Sequence, residues 1–325
     1  MPAAHGKFLV LVMHPHRQQF ADMLEIAREI GKSAPEIAIH ITNPKSTGAD
    51  VPDWKWRLPT LTISFGNLGR FLPRRGRILQ NKAIKKLEQC QRFRSLGIAS
   101  PHAERFDFGH DYDEAKFGRF AVLKPLPLEM TSLVKNILLC ETRRLSTLTK
   151  SDFPPDHFLR LAPALVQQFI DTGPRPEYFR VLTLLGEPIL WMRVKSACEQ
   201  VALVAGESAV IPAVIDPRTT YSAAAGNFLE LIEFEVPDDV LAFARKVNEG
   251  FPHIPLQACD IVREAATGVL HVLEINAGGN TWDFSSRRVA GAREKLGGRD
   301  RLLQLYDPWP RAASAIIRKV NELAS

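Results

Sequence analysis

Glu274 and Asn276 lie in the stretch His271-Val272-Leu273-Glu274-Ile275-Asn276-Ala277-Gly278-Gly279-Asn280, an apolar run that breaks into a glycine turn. Side chains alternate along a strand, so Leu273 and Ile275 are expected on one side and Glu274 and Asn276 on the other. A carboxylate and an amide held two residues apart on rigid backbone are hard oxygen ligands. They suit Mg2+, which takes a few protein oxygens and fills its other positions with water and phosphate. A second apolar run, Gln257 to Val262, surrounds Asp260, and Glu264-Ala265-Ala266-Thr267-Gly268 between the runs reads as a hairpin loop. Opposite residues of an antiparallel pair have a constant index sum. If Val262 faces Val272, Asp260 faces Glu274, and any even sum puts Asp260, Glu274 and Asn276 on one face. Two carboxylates opposed in this way repel by about 0.2–1 kcal/mol. A divalent cation would convert that repulsion into coordination. Asp260, Glu274 and Asn276 are therefore the candidate metal ligands; a solvated polar face on an edge hairpin is the alternative.

The elements that must position this hairpin alternate at first as in an α/β protein. Phe8 to Met13 reads as a buried first strand, since it is too short for a signal-peptide core and no small-residue cleavage site follows. Arg17 to Ile30 has the 3–4 apolar spacing of a helix, and Ile37 to Ile41 and Leu61 to Phe65 read as strands. A proline- and tryptophan-containing loop, Asn43 to Pro59, lies between these strands. Asn81 to Leu96 is expected to be helical, with Ile84, Leu87, Cys90 and Phe93 as its apolar stripe and Gly97 as its stop. Phe120 to Pro125 and Leu165 to Ile170 read as strands, and Phe179–Leu185 with Pro188–Val194 as a hairpin about Gly186-Glu187. Pro237 to Val247 carries acidic residues in its first turn and basic ones in its last, the charge order of a well-formed helix. Ala312 to Leu323 is a terminal amphipathic helix.

Composition narrows the class. With 325 residues, 45% of them hydrophobic and 24% charged, the chain can bury a large core and form two or three domains or lobes. No stretch approaches the ~20 apolar residues of a membrane span. The four cysteines, Cys90, Cys140, Cys198 and Cys259, form no Cys-x-x-Cys pair. That pattern argues against a disulfide framework or zinc site and fits a reducing cytoplasm. The net charge of +6 is local: Arg70, Arg74, Arg75, Arg77, Lys82, Lys85, Lys86, Arg92 and Arg94 are opposed only by Glu88. Such a patch could meet nucleic acid, an anionic substrate or nucleotide phosphates. Aromatic residues do not interleave with it as stacking platforms would, which disfavours nucleic acid.

Four landmarks stand in order. A lysine-bearing helix leads into Gly97-Ile98-Ala99-Ser100-Pro101; a strand ends Leu123-Lys124-Pro125; Val166-Gln167-Gln168-Phe169-Ile170 leads on to Tyr178-Phe179-Arg180-Val181; and the Asp260 and Glu274-x-Asn276 hairpin closes the set. From about Gln80 to Asp283 the chain resembles the ATP-grasp superfamily of carboxylate–amine/thiol ligases. Within it, the chain is nearest to the ribosomal-protein glutamate ligases and the maturases of ribosomally made peptides. The resemblance implies an α/β fold in which an N-terminal α/β domain (residues 1–79) precedes two ATP-grasp lobes with antiparallel sheets (80–170 and 171–325). It implies that Lys82 and Lys124 contact ATP phosphates, as compact point charges can. Gln168, Phe169 and Ile170 would read adenine, with Glu177 near the ribose hydroxyls, although Tyr178 competes for that position. Arg193 would neutralise the transferring phosphoryl group, Arg218 would sit near phosphate or substrate, and Asn280 would add a hydrogen bond to an acyl-phosphate. Mg2+ would be held by Asp260, Glu274 and Asn276.

Two departures narrow the resemblance. Leu126-Pro127-Leu128-Glu129-Met130-Thr131-Ser132, where many members carry a glycine-rich flap, has no glycine, so its backbone cannot cradle phosphates as a glycine loop does. His102 stands where a threonine is common. The implied activity is Mg2+- and ATP-dependent ligation of a small-molecule or peptide carboxylate to an amine, thiol or hydroxyl, in a cytoplasmic protein without membrane contact. The competing readings are a nucleotide-binding partner or scaffold protein that has lost catalysis, and a nucleic-acid-binding protein using the 70–94 patch. Arg287 and Arg288, after the glycine turn, could bind an acidic substrate.

Overall fold

Alternate residues of the first strand are buried on opposite sides, which fixes its place at the middle of a sheet covered on both faces. The computed structural model describes residues 6–126, 137–197, 230–277 and 281–325, without the side chains of Glu230 and Arg288. Cys198, Arg218, Asn280 and residues 127–132 lie outside the described residues. The first sheet is parallel in the order β2-β1-β3-β4, built from β1 (Lys7–Val12), β2 (Ile37–Thr42), β3 (Thr60–Ser64) and β4 (Arg77–Gln80). Leu9, Leu11 and Ile63 pack under α1 (Phe20–Ser33), while Phe8, Val10 and Val12 pack against Trp56 and Phe71 from the intervening loops. Burial on both faces is the usual condition of a parallel sheet.

The strand β4 was not foreseen. Two of its four residues, Arg77 and Ile78, are exposed at the sheet edge, so its sequence carries little apolar signal. It also crosses the boundary expected at residue 79. The helix expected from Asn81 starts later, as α2 (Lys86–Ser95). The Asn81 amide continues the β4 ladder by donating to the Ser64 carbonyl (2.9 Å), and residues 81–85 stay non-helical.

The middle sheet is antiparallel, β5-β8-β6-β7, from β5 (Ala103–Phe106), β6 (Phe120–Pro125), β7 (Leu138–Glu141) and β8 (Ala164–Gln168). The one-turn helices α3 (Glu114–Phe117) and α4 (Phe158–Leu161) close its own core around Phe117, Leu123, Phe158 and Val166.

The last sheet is antiparallel in the order β11-β10-β9-β12-β13 and holds the Asp260 and Glu274 hairpin. Its strands are β9 (Glu177–Leu184), β10 (Glu187–Ser196), β11 (Glu230–Glu233), β12 (Leu256–Arg263) and β13 (Leu270–Asn276). One face, with Leu182, Leu184, Leu190, Met192, Leu256 and Ala258, shares a core with the first sheet. The other, with Val181, Cys259, Ile261 and Ile275, packs on α5 (Asp238–Asn248). After α6 (Ala290–Lys295) and α7 (Gly298–Tyr306), α8 (Pro308–Leu323) returns to α1 and β10, so the chain's end belongs by packing to the first sheet as well. It begins before the expected Ala312 because Pro308 and Pro310 are tolerated in a first turn. The β9–β10 turn is Leu185-Gly186, one residue earlier than expected, with φ of 52° and 85°. A left-handed leucine is held there by burial and by its amide bond to the Pro255 carbonyl (2.7 Å). Among the described residues no helix is long and apolar enough to cross a membrane.

Asn81 joins the sheets. Its side chain, 1% exposed, donates to the Leu256 and Ala277 carbonyls and accepts from the Leu256 amide. Asn81→Ala strands three backbone groups and is expected to lower stability by about 2–4 kcal/mol. Urea unfolding checks this, and a loss under about 0.5 kcal/mol, the range of ordinary surface changes, would contradict the joining role.

Candidate active site

The hairpin places the three oxygen-bearing side chains together. Asp260 pairs directly with Glu274, and Ala258 with Asn276, so alternation brings Asp260, Glu274 and Asn276 to one face. The Asn276 amide donates to Asp260 Oδ2 at 3.1 Å. The register differs from the simple one beyond that point. A bulge between Asp260 and Ile261 pairs Val262 with His271, leaving Leu273 as the extra residue. A bulge re-aims side chains, and Leu273, expected on the face away from Glu274, lines the same crevice as Glu274.

Both carboxylates have cationic partners. Asp260, 8% exposed, receives two hydrogen bonds from Arg180 of β9, Nε to Oδ1 at 2.9 Å and Nη2 to Oδ2 at 3.0 Å. The Asp260 charge pushes the Arg180 guanidinium pKa further up, so it stays charged. Lys86 Nζ lies 3.4 Å from Glu274 Oε2. Burial pushes the Glu274 carboxyl up, but the charges of Lys86 and Lys124 outweigh it and hold the pKa below its ordinary value. Lys86 is placed by Gln89, one turn further along α2. The Gln89 side chain bonds both backbone groups of Ile275 on the outer edge of β13, accepting at 2.8 Å and donating at 3.1 Å. Lys82 precedes α2 and is exposed. Lys86, and not Lys82, lines the crevice beside Glu274.

Lys124 comes from the middle sheet. It shares the face of β6 and β8 that carries Leu165 and Gln167, and it donates to Gln167 Oε1 at 2.8 Å. Lys86, Gln89, Cys90, Lys124, Leu165, Gln167, Leu273 and Glu274 line one crevice between α2 and the two antiparallel sheets. Burial first, then the nearby Lys86 charge, lowers the Lys124 pKa to about 8.

Other expected residues fall elsewhere. Arg193 is opposite Phe179, one position along from the Arg180–Met192 pair. It therefore lies on the sheet face away from Asp260, together with Glu177. The two bind each other, Arg193 donating from Nε at 3.0 Å and Nη2 at 2.6 Å. Tyr178, rather than Glu177, shares the Arg180 face, with the Arg180 guanidinium 5.7 Å from its ring centre. Gln168 accepts from the His102 amide at 3.2 Å, its own amide donates to the His102 carbonyl, and the Phe169 amide donates to the Phe120 carbonyl. Ile170 is buried, and Arg287 is exposed.

Asp283 is a further member that the sequence did not reveal. Burial pushes its pKa up to about 6 against the opposing charges of Arg180 and Arg293. Its neighbours are clamped to α1: Trp282 Nε1 and Ser285 Oγ both donate to the fully buried Asp22, the indole at 2.7 Å, and Arg299 adds a bond at 2.8 Å.

Among the described residues no three His, Cys, Asp or Glu side chains gather as a metal site. The set here is two carboxylates and an amide, a donor chemistry that fits Mg2+ sharing its remaining positions with water and phosphate.

No protein-family model matches the sequence, and no curated protein sequence does. Solved structures do share the fold. The chain is similar to the ATP-grasp ligase PsnB complexed with minimal precursor, Mg and ADP, with a TM-score of 0.51 at 14% identity, covering 96% of this chain and 97% of that one. It also matches the macrocyclase MdnC bound with precursor peptide MdnA from Microcystis aeruginosa MRC (0.46, 13% identity, 97% and 99% covered). A third match is the D-alanine–D-alanine ligase from Bacillus anthracis (0.44, 12%, 95% and 98%). The likeness to PsnB carries the assignment: the protein has an ATP-grasp fold.

The half-buried Lys124 ammonium costs stability where it is charged. With a folded pKa near 8 against 10.5, the unfolded chain binds more protons between those values, so wild-type stability rises with pH there. Lys124→Met should stabilise the protein at pH 7 by about 1–2 kcal/mol, shrinking toward zero as pH passes 8 and approaches 10.5. Urea midpoints at neutral and alkaline pH test this; equal destabilisation at both would contradict it.

Proposed function

We propose that this protein is a Mg2+- and ATP-dependent ligase that activates a carboxylate as an acyl-phosphate and joins it to an amine or another nucleophile. One observation supports this above the others: on an ATP-grasp fold, Asp260, Glu274 and Asn276 share a face, with Lys86 and Lys124 lining the crevice beside Glu274. Asp260, Glu274 and Asn276 would hold the ion, which when bound supplies charge neutralisation on the ATP oxygens. Lys86 and Lys124 are the cations placed to meet phosphate oxygens, and Arg180 is the fixed positive charge on the Asp260 face. The substrate carboxylate attacks the γ-phosphorus and displaces ADP. The nucleophile then attacks the acyl carbonyl, and phosphate leaves. The chain's own groups bind and orient, and no protein nucleophile is needed. Arg193 and Glu177 form an ion pair on the far face and take no part in this scheme. Arg218 and Asn280 keep the roles suggested by the resemblance. PsnB was captured with a precursor, Mg and ADP, and we extend the substrate class here to a peptide carboxylate.

A second reading is a nucleotide-binding protein without turnover. The closed Arg180–Asp260 and Lys86–Glu274 pairs favour it, since they equally describe a structural ion-pair network. Turnover separates the two.

Glu274→Gln combined with Asn276→Ala is expected to lower ATP turnover at least about 100-fold, some 2.7 kcal/mol in the barrier, with unchanged far-UV circular dichroism. Wild-type-like turnover would remove the metal role. By calorimetry, Lys86→Ala and Lys124→Ala should each weaken Mg-ATP binding about tenfold, or 1.4 kcal/mol, while Lys82→Ala leaves it nearly unchanged. Equal effects of Lys82→Ala and Lys86→Ala would reject the placement of Lys86.

A further inference from the structure

Between Trp54 and Leu87 the sequence holds nine lysines and arginines and no acidic residue. The candidate site uses one of them, Lys86. Arg57, Arg70, Arg74, Arg75 and Arg77 are all exposed, and apart from Arg70, whose amide bonds Pro44 after β2, they are linked to one another or to β4. Arg75 donates to the Arg57 carbonyl at 3.1 Å, Arg74 pairs with Asp53 at 2.6 Å, and Arg77 begins β4 beside Leu61. The backbone that carries them is fixed. Phe71 is buried against Trp56, and a Cβ at Gly76 (φ 85°) would come within 2.1 Å of the Thr60 carbonyl oxygen. Three apolar side chains are exposed in the same stretch: Leu72 at 72%, Trp54 at 48% and Ile78 at 43%.

β4 is also a sheet edge. It pairs with β3 on one side and with no other strand among the described residues. The Asn81 amide points to β3, bonding Ser64, while the Gln80 amide points the other way, to the His253 carbonyl. Alternation gives Ile78 the outward direction of Gln80. An outward amide and carbonyl at Ile78, itself exposed and next to Arg77, are what an added strand requires.

We propose that the β4 edge is a docking surface for an extended, acidic polypeptide segment, with Arg57, Arg75 and Arg77 meeting its carboxylates and Ile78 pairing with its backbone. Arginine charge selects acidic side chains, and the strand edge and apolar contacts select a peptide over a nucleic acid, which would need aromatic platforms in series. The surface lies outside the nucleotide crevice, so the proposal goes beyond the ligase reading and does not depend on it.

The test is fluorescence anisotropy of the full chain with a labelled peptide of about 12 residues alternating glutamate and valine, without ATP or metal, against a single-stranded DNA oligonucleotide of equal charge. Binding to the peptide is expected to weaken by about tenfold or more between about 50 and 300 mM salt, as phosphate- or carboxylate-dominated contacts do. The triple variant R57E/R75E/R77E should lose at least about tenfold in affinity. Ile78→Pro, which removes only the outward amide, should lose severalfold; if it fails to fold, Ile78→Asp serves, placing a like charge at the edge. No peptide binding, binding untouched by the triple variant, or tighter binding of the DNA would each overturn the proposal. ATP turnover of the triple variant should match wild type.

Discussion

Two carboxylates set opposite each other on neighbouring strands are the constraint around which the rest of the molecule is arranged. Asp260 and Glu274 face one another across the β12–β13 ladder. Left alone, the arrangement would favour a different register or surroundings that neutralise it. The chain neutralises it from three directions: Arg180 from the adjoining strand, Lys86 from α2, and the Asn276 amide from within the hairpin. Each donor must be held in turn. Arg180 is fixed by sheet pairing, because β9 lies between β10 and β12. Lys86 depends on Gln89, whose amide seals the outer edge of β13. That contact also gives the edge strand a partner, so one glutamine both protects the sheet and aims the lysine.

What could be read from the sequence followed the range over which alternation holds. Within the β12–β13 hairpin the loop-side register is odd, with Val262 opposite His271 rather than the expected Val272, and the bulge that leaves Leu273 unpaired restores the even sum that puts Asp260, Glu274 and Asn276 on one face. Across the β9–β10 hairpin, where the resemblance alone suggested Arg193, the register decides the face. A turn at Gly186-Glu187 would pair Arg193 with Arg180 and bring it to the Asp260 face. The turn is instead Leu185-Gly186, and a further irregularity between Pro188 and Leu190 leaves Arg193 opposite Phe179. The earlier turn alone keeps parity, and the irregularity, a one-residue slip, is what sends Arg193 to the other face; there it meets Glu177, which alternation along β9 already sets opposite to Arg180. Arg180 was hidden for the complementary reason: its partner lies 80 residues along the chain, and no local pattern encodes that pairing. Gln167 and Gln168 differ in the same way, since only the β6–β8 register says which of two adjacent glutamines faces Lys124.

Lys86 illustrates another limit. Five basic residues, Lys82, Lys85, Lys86, Arg92 and Arg94, share the region, and choosing among them needs the helix start. Residues 81–85 stay non-helical ahead of it, and they begin with Asn81, whose side chain is committed to Leu256 and Ala277, residues far off in the sequence. The same asparagine ties the first sheet to the two strands of the site. Asp22 performs a parallel service on the other side, holding Trp282 and Ser285 on either side of Asp283. Asn81 and Asp22, two buried polar side chains on elements packed with the first sheet, thus fix Ala277 and the segment Trp282–Ser285. Polar groups buried this fully specify geometry because a displaced arrangement leaves them unpaired.

The crevice is close to electrical balance. Asp260 and Glu274 are matched by Arg180 and Lys86, leaving Lys124 as the added cation and Asp283 as an acid held partly neutral near pH 6. Under the ligase reading this balance governs how ligands enter. A triphosphate alone would be drawn by three cations and repelled by two carboxylates at the same spot. A divalent cation alone would meet carboxylates already engaged by arginine and lysine. Bound together, each would remove the obstacle to the other, since Lys86 and Lys124 would hold the phosphates and Asp260 and Glu274 the ion. Lys124, which burial has made reluctant to hold its proton, would then be the group with most to gain from an incoming phosphate, so the same desolvation that weakens the folded chain would strengthen its hold on a ligand.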